Sequence, residues 1–365
     1  MQRRTGLGRE DIFLVYYDIV MKLADVEARK IISSMGSETV EVTVVTERDK
    51  FSAAVPAGIS AGKYEVKNDT VEGALAQIAA IKPKIVGTDM SQAELDRILV
   101  EAGMAGNASL PISAAFWRAS LGEVKTYNKF PKLFTLMFEG GKHGNPGITI
   151  QEFAVVEDTV EEAMQDFRKL RDYLESAGIE TTVGAEGAFS PEGFDNLKTL
   201  DTISKVFADK KIALDVAGSF VMGGIDYKEL KAKYNIASIE DPYSDEQWDE
   251  WKKFYDEFGQ KIMVVGDDLT VTNSERIKRA LAPQVVNAII VKPNQNGTIS
   301  GTLEAVKLAR EYNLAIVVSH RAEETNDYWI ADFALEVGAD FVKFGGMDRG
   351  ERIAKYNRLR DRGMG

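Results

Sequence analysis

The first part of the chain alternates between apolar and polar residues and then changes to helical spacing. From residue 39 to residue 54 the alternation places Val40, Val42 and Val44 on one side, until a charged break at residues 47–50. This pattern predicts a β-hairpin. Apolar residues at helical spacing follow in three segments, roughly residues 70–85, 91–103 and 111–123. Strands followed by helices predict a small α+β domain that ends near Tyr127.

The rest of the chain repeats a short apolar run that ends in a polar residue and is followed by a helix-like stretch. The six runs are residues 211–215, 236–240, 262–267, 288–292, 315–320 and 341–343. Their last residues lie 23 to 28 positions apart, a suitable length for one strand plus one helix. Continuous apolar runs are typical of parallel strands that are buried on both faces. With two more strands expected near 133–139 and 149–156, they supply the eight strands of an α/β barrel of the (β/α)8 type.

Two further helices are expected at residues 159–177 and 192–208. Asp158 and Glu161 have the spacing of a capping box at the start of the first helix. The apolar stripe of that helix consists of Ala163, Phe167, Leu170 and Leu174. Such a stripe predicts a helix that packs one face against the barrel.

Composition narrows the functional classes. The 365 residues are 44% hydrophobic and carry a net charge of -12, with acidic and basic residues interspersed. Because no Lys/Arg-rich stripe is available to neutralise phosphates, we expect no nucleic-acid partner. The chain has no cysteine, which excludes disulfides, thiolate catalysis and cysteine-based zinc sites and is consistent with a cytoplasmic location.

The N-terminal segment shows no membrane or export signal. Its apolar run at residues 12–17 is far shorter than the roughly 20 residues that a membrane-spanning helix needs. No small-residue cleavage site follows, so we expect neither a signal peptide nor a membrane partner. We interpret residues 1–20 as an extension or a misassigned start, because the segment from Met21 has the pattern of a domain start.

The ends of the predicted strands carry ionisable residues. In chain order they are Asp215, Glu240, Asp267, Lys292, His320 and Lys343. A (β/α)8 barrel places its active site at the C-terminal ends of its strands, so these side chains should converge on one opening. Any one of them could instead cap a loop or pair on the surface, since charged residues at strand ends are common. Six ionisable residues at equivalent strand ends fit that alternative poorly, because crowded like charges repel one another and must be neutralised.

Three carboxylates on successive strands, Asp215, Glu240 and Asp267, favour a hard cation. With no cysteine and two histidines in the chain, oxygen ligands predominate, which favours Mg2+ over Zn2+. The alternative is three helix caps, although each residue lies at the end of its strand, before the loop. The sequence therefore predicts a magnesium site.

Lys292 and Lys343 are expected next to that metal. A lysine near other cations and a divalent metal can have a lowered pKa and act as a base. Removing a proton next to a carboxylate produces a dianion, and metal ions stabilise that charge. An ion pair with a neighbouring carboxylate is the alternative for Lys292.

Both histidines and one arginine add to this picture. His143 and His320 lie in polar or glycine-rich surroundings, which favours a role in the site over burial in the core. Arg321 offers a planar fork for a phosphate or a carboxylate. Residues 58–62 form a glycine-containing segment with the hydroxyl of Ser60, equally compatible with a turn and with a lid.

Six segments taken together resemble the enolase family, from about residue 26 to residue 357. They are Gln-Glu-Phe at 151–153, Ser-Ile-Glu-Asp-Pro-Tyr at 238–243, Asp-Asp-Leu-Thr-Val-Thr-Asn at 267–273, Lys-Pro-Asn-Gln-Asn-Gly-Thr at 292–298, Ser-His-Arg-Ala-Glu-Glu-Thr at 319–325 and Gly-Glu-Arg-Ile-Ala-Lys-Tyr-Asn at 350–357. The resemblance implies a hydro-lyase that dehydrates 2-phosphoglycerate reversibly to phosphoenolpyruvate in glycolysis and gluconeogenesis. It also implies a requirement for Mg2+, with two ions expected when substrate is bound.

The resemblance further implies a role for each matched residue. Asp215, Glu240 and Asp267 would hold the first magnesium ion, and Ser60 would help to hold the second. Lys292 would remove the C2 proton. Glu186 would protonate the departing hydroxyl, with Glu152 assisting it and His143 and His320 nearby. The substrate-binding residues would be Lys343, Arg321, Ser319, Gln151 and the backbone at Ala322.

The same resemblance implies an enolase-type barrel whose second strand is antiparallel and whose first crossover contains two helices. We expect an extension at residues 1–20, an N-terminal α+β domain at 21–127 and a barrel domain at 128–365. Members of the family form homodimers or octamers, so a homo-oligomer is expected.

Four positions depart from the family pattern. Met35 replaces an arginine that serves subunit contact, Ala185 replaces an aspartate, Ala322 replaces a serine, and Glu139 replaces an asparagine. Three of these surround the expected substrate, so a paralogue that dehydrates another phosphorylated or phosphonylated 2-hydroxy acid is an alternative. A non-catalytic binding protein on the same scaffold is a second alternative.

Overall fold

The computed structural model describes residues 19–56, 62–121, 127, 129–219 and 224–364. Ser60 and nearly all of the expected N-terminal extension therefore lie outside the described residues. Within the described ranges, no helix combines the length and the apolar composition that crossing a membrane requires.

The N-terminal part is built on a three-stranded antiparallel sheet with the order β2-β3-β4. Its strands are β2 (Asp25–Ile32), β3 (Glu38–Val45) and β4 (Lys50–Ala54), and β1 (Met21–Lys22) pairs separately with β5 (Asp89–Met90). The predicted hairpin is confirmed as β3 and β4, with Val40, Val42 and Val44 fully buried. Strand β2 was not predicted, because most of its side chains are exposed and it lacks an apolar alternation.

Three helices follow, close to the predicted segments; the first and third pack on the sheet, and the second packs on the third. They are α1 (Val71–Ile85), α2 (Gln92–Glu101) and α3 (Gly106–Ser120). Nearly every side chain of α3 is buried, because the helix lies between the sheet and the barrel. Two of its hydroxyls contact the barrel domain directly: Ser109 donates to the carbonyl of Gly297, and Ser113 accepts the N–H of Ile299. The two parts are thus joined by buried hydrogen bonds.

The C-terminal part is a closed eight-stranded barrel, as predicted. Its strands are β6 (Lys132–Glu139), β7 (Glu152–Glu157), β8 (Ile212–Asp215), β9 (Ile236–Glu240), β10 (Met263–Gly266), β11 (Ala288–Val291), β12 (Ala315–Ser319) and β13 (Phe341–Lys343). Strand β7 is antiparallel to both of its neighbours, and the remaining pairs are parallel. Both features confirm the expectation drawn from the enolase resemblance.

Helices surround the barrel. They are α4 (Val160–Ser176), α5 (Asn196–Val206), α6 (Tyr227–Lys233), α7 (Trp248–Phe258), α8 (Ser274–Leu281), α9 (Pro293–Asn296), α10 (Ile299–Glu311), α11 (Trp329–Glu336) and α12 (Gly350–Asp361). The connection from β7 to β8 contains both α4 and α5, as expected. The capping prediction for α4 was wrong by one residue: Thr159 is the N-cap, and its hydroxyl accepts the N–H of Glu162. A hydroxyl one residue closer to the helix satisfies that donor.

The barrel interior is filled by apolar side chains. A cluster separate from the main core contains Leu136, Ala213, Val265, Ile290 and Val317. Successive side chains of a strand point to opposite faces, so these residues face inward while their neighbours pack under the helices. This packing closes the barrel beneath its mouth, and the polar side chains at the strand ends lie above it.

Candidate active site

One cavity at the mouth of the barrel collects nearly all of the residues predicted for the site. It is lined by His143, Gln151, Glu152, Glu186, Asp215, Asp267, Lys292, Ser319, His320, Arg321, Ala322 and Lys343. Glu240 joins the same group through its contact with Lys343. Ser60 lies outside the described residues, so its predicted part in metal binding stays a prediction.

Lys343 holds three carboxylates together. Its ammonium nitrogen lies 3.0 Å from an oxygen of Asp215, 2.9 Å from Glu240 and 2.9 Å from Glu152. Burial favours the neutral amine, but these carboxylates outweigh it and raise the pKa of Lys343 well above its usual value. Lys343 is therefore a fixed positive charge at the centre of the mouth.

Lys292 forms a direct ion pair with Asp267. The other oxygen of Asp267 accepts a hydrogen bond from the side-chain amide of Gln295 at 2.9 Å. Burial lowers the pKa of Lys292, yet Asp267 outweighs it, so the pKa is raised overall. The paired carboxylate stabilises the ammonium, and this ion pair is the alternative given for Lys292; the lowered pKa expected beside a bound metal stays a prediction. We call Asp215, Glu240, Asp267, Lys292 and Lys343 the lysine cluster.

The predicted metal ligands lie at the same mouth but are divided between the two lysines. Among the described residues, no group of acids whose ligand atoms lie within 4.8 Å of one another includes all three. Asp215 and Glu240 share Lys343, whereas Asp267 pairs with Lys292. Asp267 also forms a compact group with Asp241 and Asp268, whose carboxylate oxygens lie within 4.8 Å of one another. Asp241 already accepts the backbone N–H groups of Asp267 and Asp268. Coordination of one ion by the predicted trio stays a prediction.

The carboxyl groups on this side of the mouth outnumber the lysines that could neutralise them, and the pKa values of Glu240 and Asp268 are raised. Burial and the neighbouring Asp215 raise the pKa of Glu240 well above its usual value, despite Lys343. Burial and the adjacent Asp267 raise the pKa of Asp268 to about 7. Two lysines do not neutralise so many acids, and oxygen donors in excess fit a hard divalent cation.

Glu186 faces both histidines on the opposite side of the cavity. One carboxylate oxygen lies 3.4 Å from Nδ1 of His143, and the other lies 3.3 Å from Nε2 of His320. These contacts are electrostatic rather than well-formed hydrogen bonds. Burial raises the pKa of Glu186, but His143, His320 and Arg352 outweigh it and hold the pKa well below its usual value.

Arg352 determines which nitrogen of His320 carries the proton. Its guanidinium lies 2.7 Å from Nδ1 of His320, which must therefore accept a hydrogen bond, leaving the ring proton on Nε2 toward Glu186. Burial lowers the pKa of His320 to about 4, so the ring is neutral at physiological pH. Glu152, beside Glu186, has its pKa raised well above the usual value, first by burial and then by the charge of Glu186. We call Glu186, Glu152, His143 and His320 the Glu186 cluster.

Arg321 lies in the cavity, paired with a residue that sequence analysis did not single out. Its guanidinium donates to both carboxylate oxygens of Glu65, at 3.0 and 3.3 Å, and to the side-chain oxygen of Asn294 at 3.2 Å. Glu65 and Arg352 were both missed. Arg352 lies in the motif at residues 350–357, but nothing in the sequence of that motif indicated a contact with His320.

The fold and the site define an α/β-barrel protein with a buried, highly charged mouth. Residues 23–127 match the family model described as "Enolase, N-terminal domain", and residues 225–361 match "Enolase, C-terminal TIM barrel domain". The chain is also 34% identical to the curated "Enolase" of Helicobacter pylori (strain P12), over 93% of this chain and 95% of that protein. The chain belongs to the enolase family.

Proposed function

We propose that this chain is a magnesium-dependent hydro-lyase that converts 2-phosphoglycerate reversibly to phosphoenolpyruvate. The observation that carries the proposal is the division of one buried cavity into two clusters of opposite chemical character. The lysine cluster offers a candidate base among anionic oxygens, and the Glu186 cluster offers a candidate acid among neutral or cationic donors. Elimination of water needs a base on one side of the substrate and an acid on the other.

Asp215, Glu240 and Asp267 would hold a magnesium ion. Their buried oxygens and the excess of negative charge around them suit a hard divalent cation. When bound, the ion would stabilise the charge that develops on the substrate carboxylate. We propose Ser60 as an additional ligand for a second ion.

Lys292 would act as the base that removes the C2 proton. Its raised pKa depends on Asp267, with which it is paired. If Asp267 is used to bind a cation, Lys292 loses that partner and its pKa falls, because burial then acts against the ammonium with less opposition. Proton removal by Lys292 is thereby linked to occupation of the metal site.

Glu186 would transfer a proton to the departing hydroxyl. The pKa of Glu152 is raised and that of Glu186 is lowered, so the proton of this carboxyl pair lies on Glu152, and Glu186 would pass it from Glu152 to the departing hydroxyl. Neutral His320 keeps an N–H directed at Glu186, and His143 faces its other oxygen. These residues hold the acid in place and exclude water from its carboxyl group.

Arg321 and Lys343 would bind the anionic groups of the substrate. Arg321 already holds the two oxygens of Glu65 in the forked geometry that a phosphate would need. Lys343 would hold the carboxylate. Ser319, Gln151 and the backbone at Ala322 line the same cavity and would complete the binding site.

The direct test follows the ultraviolet absorbance of phosphoenolpyruvate as 2-phosphoglycerate is consumed, with and without magnesium. We expect turnover within the usual enzyme range of about 1–1000 per second, and only with magnesium. Turnover far below that range on 2-phosphoglycerate, with faster dehydration of another phosphorylated 2-hydroxy acid, would favour a paralogue. Ala185, Ala322 and Glu139 motivate that second candidate.

We also propose the domain limits 21–127 and 128–365, a cytoplasmic location and a homo-oligomeric state, either a dimer or an octamer. Met35, in the position expected to serve subunit contact, is exposed in the turn after β2. Sedimentation analysis of the purified protein would determine the oligomeric state, and a monomer at micromolar concentration would contradict it.

A further inference from the structure

Glu139 is a buried carboxyl group that the proposed mechanism does not use. It is the last residue of β6, and its side chain is fully buried. Burying a carboxyl group away from water is unfavourable unless its oxygens are hydrogen-bonded. Its partners are therefore the first indication of what it does.

Both oxygens of Glu139 accept hydrogen bonds from the backbone of the loop at residues 184–188, which carries Glu186. The N–H of Glu186 lies 2.9 and 3.2 Å from the two oxygens, and the N–H of Ala188 lies 2.9 Å from one of them. Within the described residues no other group accepts these two donors. Without Glu139 both N–H groups would be buried and unsatisfied, at a cost of about 1–3 kcal/mol each.

The rest of the loop is arranged around this anchor. A side chain at Gly184 would meet the carboxyl carbon of Glu139 at 2.5 Å, so only glycine permits the approach. The carbonyl of Glu186 accepts the N–H of Gly346, and the carbonyl of Ala185 accepts a hydrogen bond from Arg352. The side chain of Glu139 thus accepts two N–H groups of the loop, while Gly346 and Arg352 donate to two of its carbonyl groups.

We propose that Glu139 is a positioning residue for Glu186: its carboxyl group anchors the backbone N–H groups of the loop so that the Glu186 side chain faces His143 and His320. The charged groups that face Glu139 are Glu186 and Arg352. This inference rests on the proposed function only in giving Glu186 the role of acid. The anchoring itself is a property of the loop and can be measured without catalysis.

The test compares three variants with the wild-type protein in the presence of magnesium. Glu139→Leu removes both acceptors at similar size, and Glu157→Gln is the matched control. Glu139→Gln keeps one oxygen within reach of both N–H groups, but its NH2 group faces the N–H of Glu186, so it is a partial replacement. Glu157 is also a buried carboxyl, but it lies at the other end of β7 and pairs with Lys210. Each protein is measured by amide hydrogen exchange and by dehydration kinetics.

In Glu139→Leu we expect exchange of the peptide containing residues 184–189 to accelerate at least about tenfold, since its anchored amides lose their acceptor. We expect kcat to fall by about 10- to 100-fold, because a misplaced acid loses transition-state stabilisation. KM should change by less than about threefold, because Arg321 and Lys343 still bind the substrate. Glu139→Gln should give values between those of Glu139→Leu and wild type, and Glu157→Gln should leave both as in wild type.

Wild-type exchange or wild-type kcat in Glu139→Leu would overturn the proposal, as would values in Glu139→Gln no closer to wild type than those in Glu139→Leu. If Glu139→Leu does not fold, Glu139→Ala replaces it with the same two criteria. Absence of dehydration in the wild-type protein, with the expected exchange pattern in the variants, would reject the proposed function and leave the anchoring role in place.

Discussion

The two clusters at the mouth of the barrel are built in different ways. The lysine cluster stands on the ends of five parallel strands, so the backbone of the barrel fixes its side chains directly. In the Glu186 cluster, only Glu152 and His320 lie at or next to a strand end, whereas Glu186 and His143 come from long connections. Those connections depend on added anchors, among them Glu139 and Arg352. The proposed base side is therefore held by secondary structure, and the proposed acid side by tertiary hydrogen bonds.

The largest effect is expected from a substitution in the lysine cluster. We expect Lys292→Ala to lower kcat by about 10⁴-fold, because a positioned base contributes up to that factor. The substrate C2 proton should also stop exchanging with solvent deuterium. NMR of 2-phosphoglycerate in deuterated buffer measures that exchange, and circular dichroism checks the fold. Activity within tenfold of wild type would contradict the base assignment; removal of the exposed Lys198 by alanine serves as the control.

Breaking the Glu186 cluster should have a smaller and different effect. We expect Glu186→Gln to lower dehydration by about 10³-fold, within the range for a general acid. Exchange of the C2 proton should continue, because Lys292 is untouched. The same NMR experiment compares the two variants directly. If Glu186→Gln also stops C2 exchange, the two clusters do not divide the base and acid roles as proposed.

Removing a proposed metal ligand should raise the magnesium requirement of the reaction. We expect Asp267→Asn to raise the magnesium concentration needed for half-maximal activity by at least about 100-fold, because loss of a direct ligand should exceed the effect of outer contacts. Magnesium titration of initial rates measures this. Asp226→Asn is the matched control, because Asp226 caps α6 at the surface and asparagine caps equally well. Equal magnesium requirements in both variants would remove Asp267 from the ligand set.

The smallest expected effect is the contribution of Glu139 to the pH dependence of the free energy of unfolding. Burial, with the charge of Glu186, raises the pKa of Glu139 to about 8, above its value in the unfolded chain. The folded state therefore binds this proton more tightly, so the stabilisation is complete below the unfolded pKa and is lost as pH rises through about 8.

Glu139→Gln cannot lose that proton, so it isolates this contribution. Between pH 6 and pH 8 the free energy of unfolding of wild type should fall by about 2 kcal/mol more than that of Glu139→Gln, at 1.36 kcal/mol per pKa unit. Urea unfolding at fixed magnesium concentration measures the difference. Parallel pH profiles in the two proteins would show that Glu139 does not titrate in this range.

The sequence by itself determined the barrel and the ionisable residues at the ends of its strands. Each run from Asp215 to Lys343 ends in a residue that lines the cavity at the mouth or, for Glu240, contacts Lys343 there, because parallel strands bring their C-terminal ends to one edge. The hairpin and the buried face of α4 were equally predictable, since the spacing of apolar residues along the chain indicates which side chains are buried.

Only the tertiary structure decided which charges face one another. Lys292 pairs with Asp267, which raises the pKa of the lysine, and Glu65 occupies the fork of Arg321. Glu139 and Arg352 support the acid side from distant positions in the chain. Electrostatic energy and desolvation depend on distances in space and on burial, and residues separated by many positions in the chain acquire both only when the barrel closes.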